Sequence, residues 1–202
     1  TNLQYNEQTN KLLVYGNGAT PKLCDVENTE QCEPLTLDAV DEEILLADKK
    51  HLLVKTQQNE WRIYAIETKK MIVLRGFDRE QFLAGVCVKN KCTMLDQKGL
   101  LNAWSLTTGT LESQTSFLAG KDESDVNNFK SFEFSADGNF IAAISKIQNQ
   151  QQATATIWNL ENPISSITVR SLLFSDSKDG ISLEVALQYN DSYSESVFSF
   201  AI

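Results

Sequence analysis

The chain has 202 residues, 42% hydrophobic and 22% charged, which excludes wholesale disorder and allows a sizeable core. With 18 Lys and Arg against 27 Asp and Glu the formal charge is −9, so non-specific adhesion to nucleic-acid backbones or anionic membranes is disfavoured. No apolar run approaches the roughly 20 residues of a spanning helix, and Thr1 opens no basic and apolar leader, so neither membrane insertion nor export is expected.

Taken in order, the chain reads as strand after strand without helix. Residues 1–33 predict three short strands (2–5, 12–15 and 22–26), a first unit that lacks its earliest strand. Gly16-Asn17-Gly18 supplies permissive backbone before the last of these, and Pro21 suits only a strand edge or start. Residues 34–70 predict strands at 35–40, 44–47, 51–55 and 60–66; Ile44-Leu45-Leu46-Ala47 is too short for a globular helix, and Asp48-Lys49-Lys50 ends it as a polar turn. Residues 71–110 predict strands at 71–74, 82–88, 91–95 and 100–106. In residues 111–162, Phe132 and Phe134 alternate with Ser131, Glu133 and Ser135, Asp137-Gly138 makes a turn, and Phe140 to Ile144 and Thr156 to Leu160 follow as further strands. Residues 163–202 form a fifth unit of alternating strands.

One pattern recurs through these units: Leu23-Cys24-Asp25-Val26, Ile63-Tyr64-Ala65-Ile66, Ala103-Trp104-Ser105-Leu106, Ile157-Trp158-Asn159-Leu160 and Val197-Phe198-Ser199-Phe200. Their central residues lie 40, 40, 54 and 40 residues apart. A period near 40 with strand patterning is the signature of propeller blades, so the fold expected is all-β: a β-propeller of four-stranded antiparallel blades, about five of them, in one domain. The surplus of 14 residues falls before Phe132, in the polar loop Gly120 to Asn128. An insertion running over the surface has this composition.

Phe134-Ser135-Ala136-Asp137-Gly138, followed by Trp158-Asn159-Leu160, resembles a blade of the WD-repeat β-propeller family. The other units match by spacing and strand pattern alone. No Gly-His pair precedes a blade, and Asn159, Ser105, Ala65 and Ser199 stand where the family's Asp follows the closing aromatic. The family's Asp-His-Ser-Trp tetrad therefore cannot form, and apolar packing between blades must replace it. The resemblance implies seven blades, about 280 residues at this period, so the chain is expected to be the C-terminal part of a larger ring.

Catalytic chemistry is poorly served. His51 is the one histidine, placed at a strand start beside a turn, and is expected to be structural. The acidic groups Asp41-Glu42-Glu43, Asp122-Glu123-Asp125 and Asp176 with Asp179 sit in turn-like stretches and give no facing pair of carboxylates. If Lys89-Asn90 form a two-residue turn, Cys87 faces Cys92 at disulfide reach. A propeller core needs no staples, so Cys24, Cys32, Cys87 and Cys92 are expected as free strand residues, and their spacing does not form a structural zinc site. No cofactor or metal is expected. Localisation follows: nuclear or cytoplasmic, or a secretory lumen if Cys87 and Cys92 are bonded.

The expected function is a non-enzymatic protein-interaction scaffold in a multi-subunit complex, with Lys121, Asp122, Glu123 and Asp125 of the inserted loop meeting a basic partner surface. Two alternatives remain: an RNA-associated scaffold of the ribosome-assembly type, which the resemblance permits but the charge disfavours, and a propeller enzyme with its site in the central channel.

Overall fold

The computed structural model describes residues 2–6, 10–16, 20–28, 31–37, 40–116, 129–145, 153–160, 166–172, 181–189 and 192–200. Four antiparallel four-stranded sheets and one two-stranded sheet follow one another along the chain. The first blade contains β1 (Asn2–Asn6), β2 (Lys11–Tyr15), β3 (Lys22–Asp25) and β4 (Cys32–Pro34). The second contains β5 (Val40–Leu45), β6 (His51–Thr56), β7 (Trp61–Ala65) and β8 (Lys70–Val73). The third contains β9 (Phe82–Val88), β10 (Lys91–Asp96), β11 (Leu100–Ser105) and β12 (Leu111–Ser116). The fourth contains β13 (Phe129–Phe134), β14 (Phe140–Ser145), β15 (Ala153–Asn159) and β16 (Ser166–Leu172), and the hairpin β17 (Ile181–Tyr189) and β18 (Ser192–Phe200) follows. The fold is a β-propeller, as the repeat period requires.

The repeated aromatic explains why the units form. It lies on the third strand of its blade, opposite the second: Leu52 faces Tyr64, Cys92 faces Trp104 and Ile141 faces Trp158. All three aromatics are buried. Two residues on, Ile66, Leu106 and Leu160 each donate a backbone hydrogen bond to the turn between the first two strands, at Lys50 O (2.9 Å), Asn90 O (2.8 Å) and Asn139 O (2.8 Å). One bond repeated in three blades pins the end of each third strand to the same turn.

Packing between blades supplies the core. Ala84, Val86 and Leu95 of the third blade join Phe132, Phe134, Ile141, Ala143 and Trp158 of the fourth in one cluster. At the seam before it, Leu46, Leu53, Trp61, Ile63 and Leu74 of the second blade meet Phe82, Met94, Trp104 and the Cys87–Cys92 pair of the third. Phe77 stands edge-on to Trp61, Phe82 and Trp104 with ring centroids 5.6 to 5.9 Å apart, the arrangement aromatic quadrupoles favour. Interblade burial thus takes the place of the missing tetrad.

The structure moves the blade boundaries by one strand. The first unit does not lack a strand: Cys32–Pro34 pairs with β3 and completes it. Residues 71–73, expected to open the third unit, instead pair with β7 as the outer edge of the second blade, where Val73 is exposed. Val40–Leu45, rather than 35–40, is the first strand of that blade, because its residues pair with β6 whereas Leu35 hydrogen-bonds back to Pro21 O. Likewise Ser166–Leu172 closes the fourth blade, which leaves two strands rather than four among the described residues of the fifth unit.

Candidate functional site at one rim of the propeller

Antiparallel order puts the turns β5–β6, β9–β10 and β13–β14 at one rim, together with the links that follow β7 and β11. Two cavities open there between blades. One, of about 460 Å³, is lined by Lys50, His51, Glu67, Lys70, Lys89 and the aliphatic floor of Ile63 and Ile72. Its neighbour, of about 530 Å³, lies between the third and fourth blades and shares Lys89, Asn90 and Thr107, adding Lys91, Glu112 and Asp137. Lys89 takes φ 55° at the hairpin tip, which turns the chain sharply and sets its side chain between the cavities. The rim therefore gathers lysines on a chain whose total charge is −9.

Beneath the first cavity lies a polar cluster. The β5–β6 turn is docked on the third blade by a hydrogen bond from Ala47 N to Gly85 O (3.0 Å). Asp48, buried, accepts at Oδ1 from Lys50 N and His51 N (3.3 Å each), while Oδ2 meets His51 Nδ1 at 2.5 Å. A carboxylate oxygen of Asp48, a ring nitrogen of His51 and Sγ of Cys87 lie within 4.8 Å of one another. His51 stands at a turn as expected, yet its neighbours come from two blades, so no local motif announced them. The cysteines correct the expectation of free thiols. Cys87 is bonded to Cys92 and Cys24 to Cys32, each across a strand pair. The register around Lys89-Asn90, with Val88 opposite Lys91 and Cys87 opposite Cys92, is the one hairpin arithmetic gives.

A second polar region lies on the innermost strands. Asp41-Glu42-Glu43, expected as a solvated turn, belongs to β5: Glu42 accepts from Arg79 Nε (2.9 Å) and Glu43 Oε1 from Gly16 N (2.5 Å). Glu133, on β13, has its carboxyl pushed up to about 7 by burial, against the lowering influence of the Lys49 ammonium. The Tyr15 hydroxyl is raised by burial and by the charge of Glu133, which brings the first and fourth blades into one electrostatic field. On β13 Glu133 stands between the buried Phe132 and Phe134 and is itself half-buried.

Lys121, Asp122, Glu123 and Asp125 lie outside the described residues, as do Asp176 and Asp179. The loop that holds the first four is flanked by Ser116, paired with Leu100, and Phe129, paired with Ser145. Both flanks belong to the rim opposite Lys89.

No family model and no curated protein matches the chain. Its fold is shared by solved structures. The N-terminal domain of Nup159 is 12% identical, with a TM-score of 0.51 over 98% of this chain and 56% of that one. The β-propeller domain of Myceliophteria thermophila Cps50 (Swd1) is 14% identical, with a TM-score of 0.45 over 82% of this chain and 55% of that one. The chain thus spans about half the length of these structures, and what it has in common with the Nup159 domain is a fold.

Proposed function

We propose that the chain is a non-enzymatic protein-interaction platform in a multi-subunit complex, and that its docking face is the lysine-bearing rim. The observation that carries this reading is the grouping of Lys50, Lys70, Lys89 and Lys91 around two interblade cavities of an acidic protein, where they outnumber Glu67, Glu112 and Asp137. An acidic segment of a partner protein fits there. The lysines steer its approach, and the aliphatic floor of Ile63 and Ile72 receives its apolar side chains. The acidic sequence with Lys121, Asp122, Glu123 and Asp125, which joins strand ends at the other rim, serves a basic partner, so the chain suits more than one subunit.

Pull-down from native extract with mass spectrometry, with and without ribonuclease, tests this. A stoichiometric protein set that survives ribonuclease supports the platform. Ribonuclease-sensitive recovery favours the RNA-associated reading, and substrate turnover by the purified chain favours the enzyme. The cysteines bear on compartment: bonded pairs suit a secretory lumen and open dithiols the nucleus or cytoplasm. A count of free thiols in denatured, unreduced protein separates the two.

A further inference from the structure

We propose that, once the Cys87–Cys92 disulfide is reduced, Cys87, Cys92, His51 and Asp48 together bind one zinc-class divalent cation at the seam between the second and third blades. Three of the four donors are already gathered, and the fourth is bonded to one of them. Sγ of Cys87, a ring nitrogen of His51 and a carboxylate oxygen of Asp48 lie within 4.8 Å of one another, and Cys92 is the cross-strand partner of Cys87. Donors on one tetrahedral zinc, at about 2.0–2.3 Å from the metal, stand roughly 3.5 Å apart, so the cluster needs only a small adjustment. Two sulfurs, one imidazole and one carboxylate are also the donor types zinc takes in preference to magnesium or calcium.

The surroundings favour the same reading. Backbone N–H groups of Lys50 and His51 fix Oδ1 of Asp48 and leave Oδ2 turned to the ring, where a cation would take the place of the direct contact between the two side chains. The bond from Ala47 N to Gly85 O holds this turn against the strand that carries Cys87. Asp48, Cys87 and Cys92 are buried, and His51 opens on the 460 Å³ cavity, which gives the ion an entry path. Two thiolates and a carboxylate around a dication leave one net negative charge, and the cavity's Lys50, Lys70 and Lys89, which outnumber its Glu67, offset it. The chain's one histidine, His51, lies by Cys87 rather than by Cys24 and Cys32.

The redox step balances with a dithiol as reductant. One of its thiolates attacks one cysteine sulfur, and the other cysteine leaves as a thiolate. The second reductant thiol then closes the reductant's own disulfide and frees the remaining cysteine. Two electrons pass to the protein, two cysteine thiols result, and the cation displaces their protons to solvent.

The test uses the full chain, reduced with a phosphine, desalted without oxygen and titrated with cobalt chloride and then zinc sulfate. One equivalent of cobalt should bind with a thiolate-to-cobalt charge-transfer band and tetrahedral visible bands, and zinc should bleach both. The unreduced chain should show neither. His51→Gln, which keeps both cysteines, should weaken cobalt binding roughly 10- to 100-fold, whereas the Cys24→Ser/Cys32→Ser double variant should bind as the parent does. Near-ultraviolet circular dichroism establishes that each variant is folded, and Asp48→Asn serves if His51→Gln is not. The proposal is overturned if the reduced parent shows no charge-transfer band, if the unreduced chain binds equally, if the folded His51→Gln or Asp48→Asn chain keeps the parent affinity, or if binding follows Cys24 and Cys32.

Discussion

Two turns at the same rim have the same backbone and different uses. In the second blade Leu46 to His51, and in the fourth Ser135 to Phe140, close through matching bonds: Leu46 N to His51 O and Lys49 N to Leu46 O, against Ser135 N to Phe140 O and Gly138 N to Ser135 O. Asp48 and Asp137 occupy equivalent places. Asp137 is exposed and ties down its own turn, accepting from Ser135 Oγ (2.6 Å) and Asn139 Nδ2 (2.9 Å). Asp48 is buried and holds His51 beside a cysteine of the next blade. The seam between the third and fourth blades packs Trp158 and three phenylalanines into an apolar wall. The seam past Asp48 keeps ionisable and sulfur groups within its wall. One scaffold therefore carries a seam devoted to packing and a seam with chemistry to spare, and the difference lies in a few side chains rather than in the backbone.

The largest effect should come from the packing itself. Trp158→Ala and Trp104→Ala should each cost about 3–5 kcal/mol in urea melts, since each leaves a large cavity between blades. A loss at Trp158 much greater than at Trp104 would sharpen the contrast between the seams; losses under about 1 kcal/mol at both would break the interblade account.

Next comes Gly109, at φ 68° on the link from β11 to β12, where an added Cβ would fall 1.9 Å from the carbonyl oxygen of Val73. Gly109→Ala should cost about 3 kcal/mol, from left-handed strain plus displacement of the second blade's edge. Gly138→Ala should cost less, because its Cβ would meet side chains rather than backbone, those of Val88 (2.9 Å) and Val86 (3.5 Å). In the matching turn Lys49 already bears φ 56°, so Lys49→Gly should be neutral or stabilising by up to about 1 kcal/mol. Thermal melts of the three variants read this order.

A smaller, pH-dependent term belongs to Glu133. Its folded carboxyl titrates near 7, above the ordinary value of 4.5, so between these values the folded chain holds the proton that the unfolded chain has released. This group's contribution is therefore most favourable below about pH 4.5 and is lost as pH rises through 7, by on the order of 1–3 kcal/mol. Glu133→Gln should flatten that dependence, gaining stability at pH 8 relative to the parent and little at pH 5. Urea melts at the two pH values measure it; equal changes at both would contradict a buried, proton-holding carboxyl.

How much of this was legible in the sequence follows from where each signal resides. Tyr64, Trp104 and Trp158 repeat because each plugs the same third-strand position, so the period gave the propeller directly. Blade boundaries were shifted because the aromatic marks the third strand and not the end of the blade: residues 71–73 read as an apolar opening strand, whereas they cover an outer edge. The Cys87–Cys92 hairpin was within reach of local arithmetic, but the Cys24–Cys32 pair depended on a three-residue strand without a hydrophobic pattern. Asp48 and His51 looked like an ordinary polar turn and strand start. Only docking of that turn on Gly85 brings them to Cys87, and contacts between blades leave no spacing to read. The lysine rim was hidden for the same reason, since its residues come from separate turns of a chain whose composition is acidic.

The rim reading is tested most directly by comparing three folded proteins in one pull-down: the parent, Lys50→Glu/Lys70→Glu/Lys89→Glu, and a deletion of residues 121–125. All three should melt within about 1 kcal/mol of one another, because Lys50, Lys70 and Lys89 are exposed and residues 121–125 lie outside the described strands. The triple variant should lose an acidic protein that the parent recovers at low salt and releases as salt rises, while the deletion should keep that protein and lose any basic one. Recovery of the same proteins by the triple variant, with the same salt dependence as the parent, would contradict the rim as the docking face.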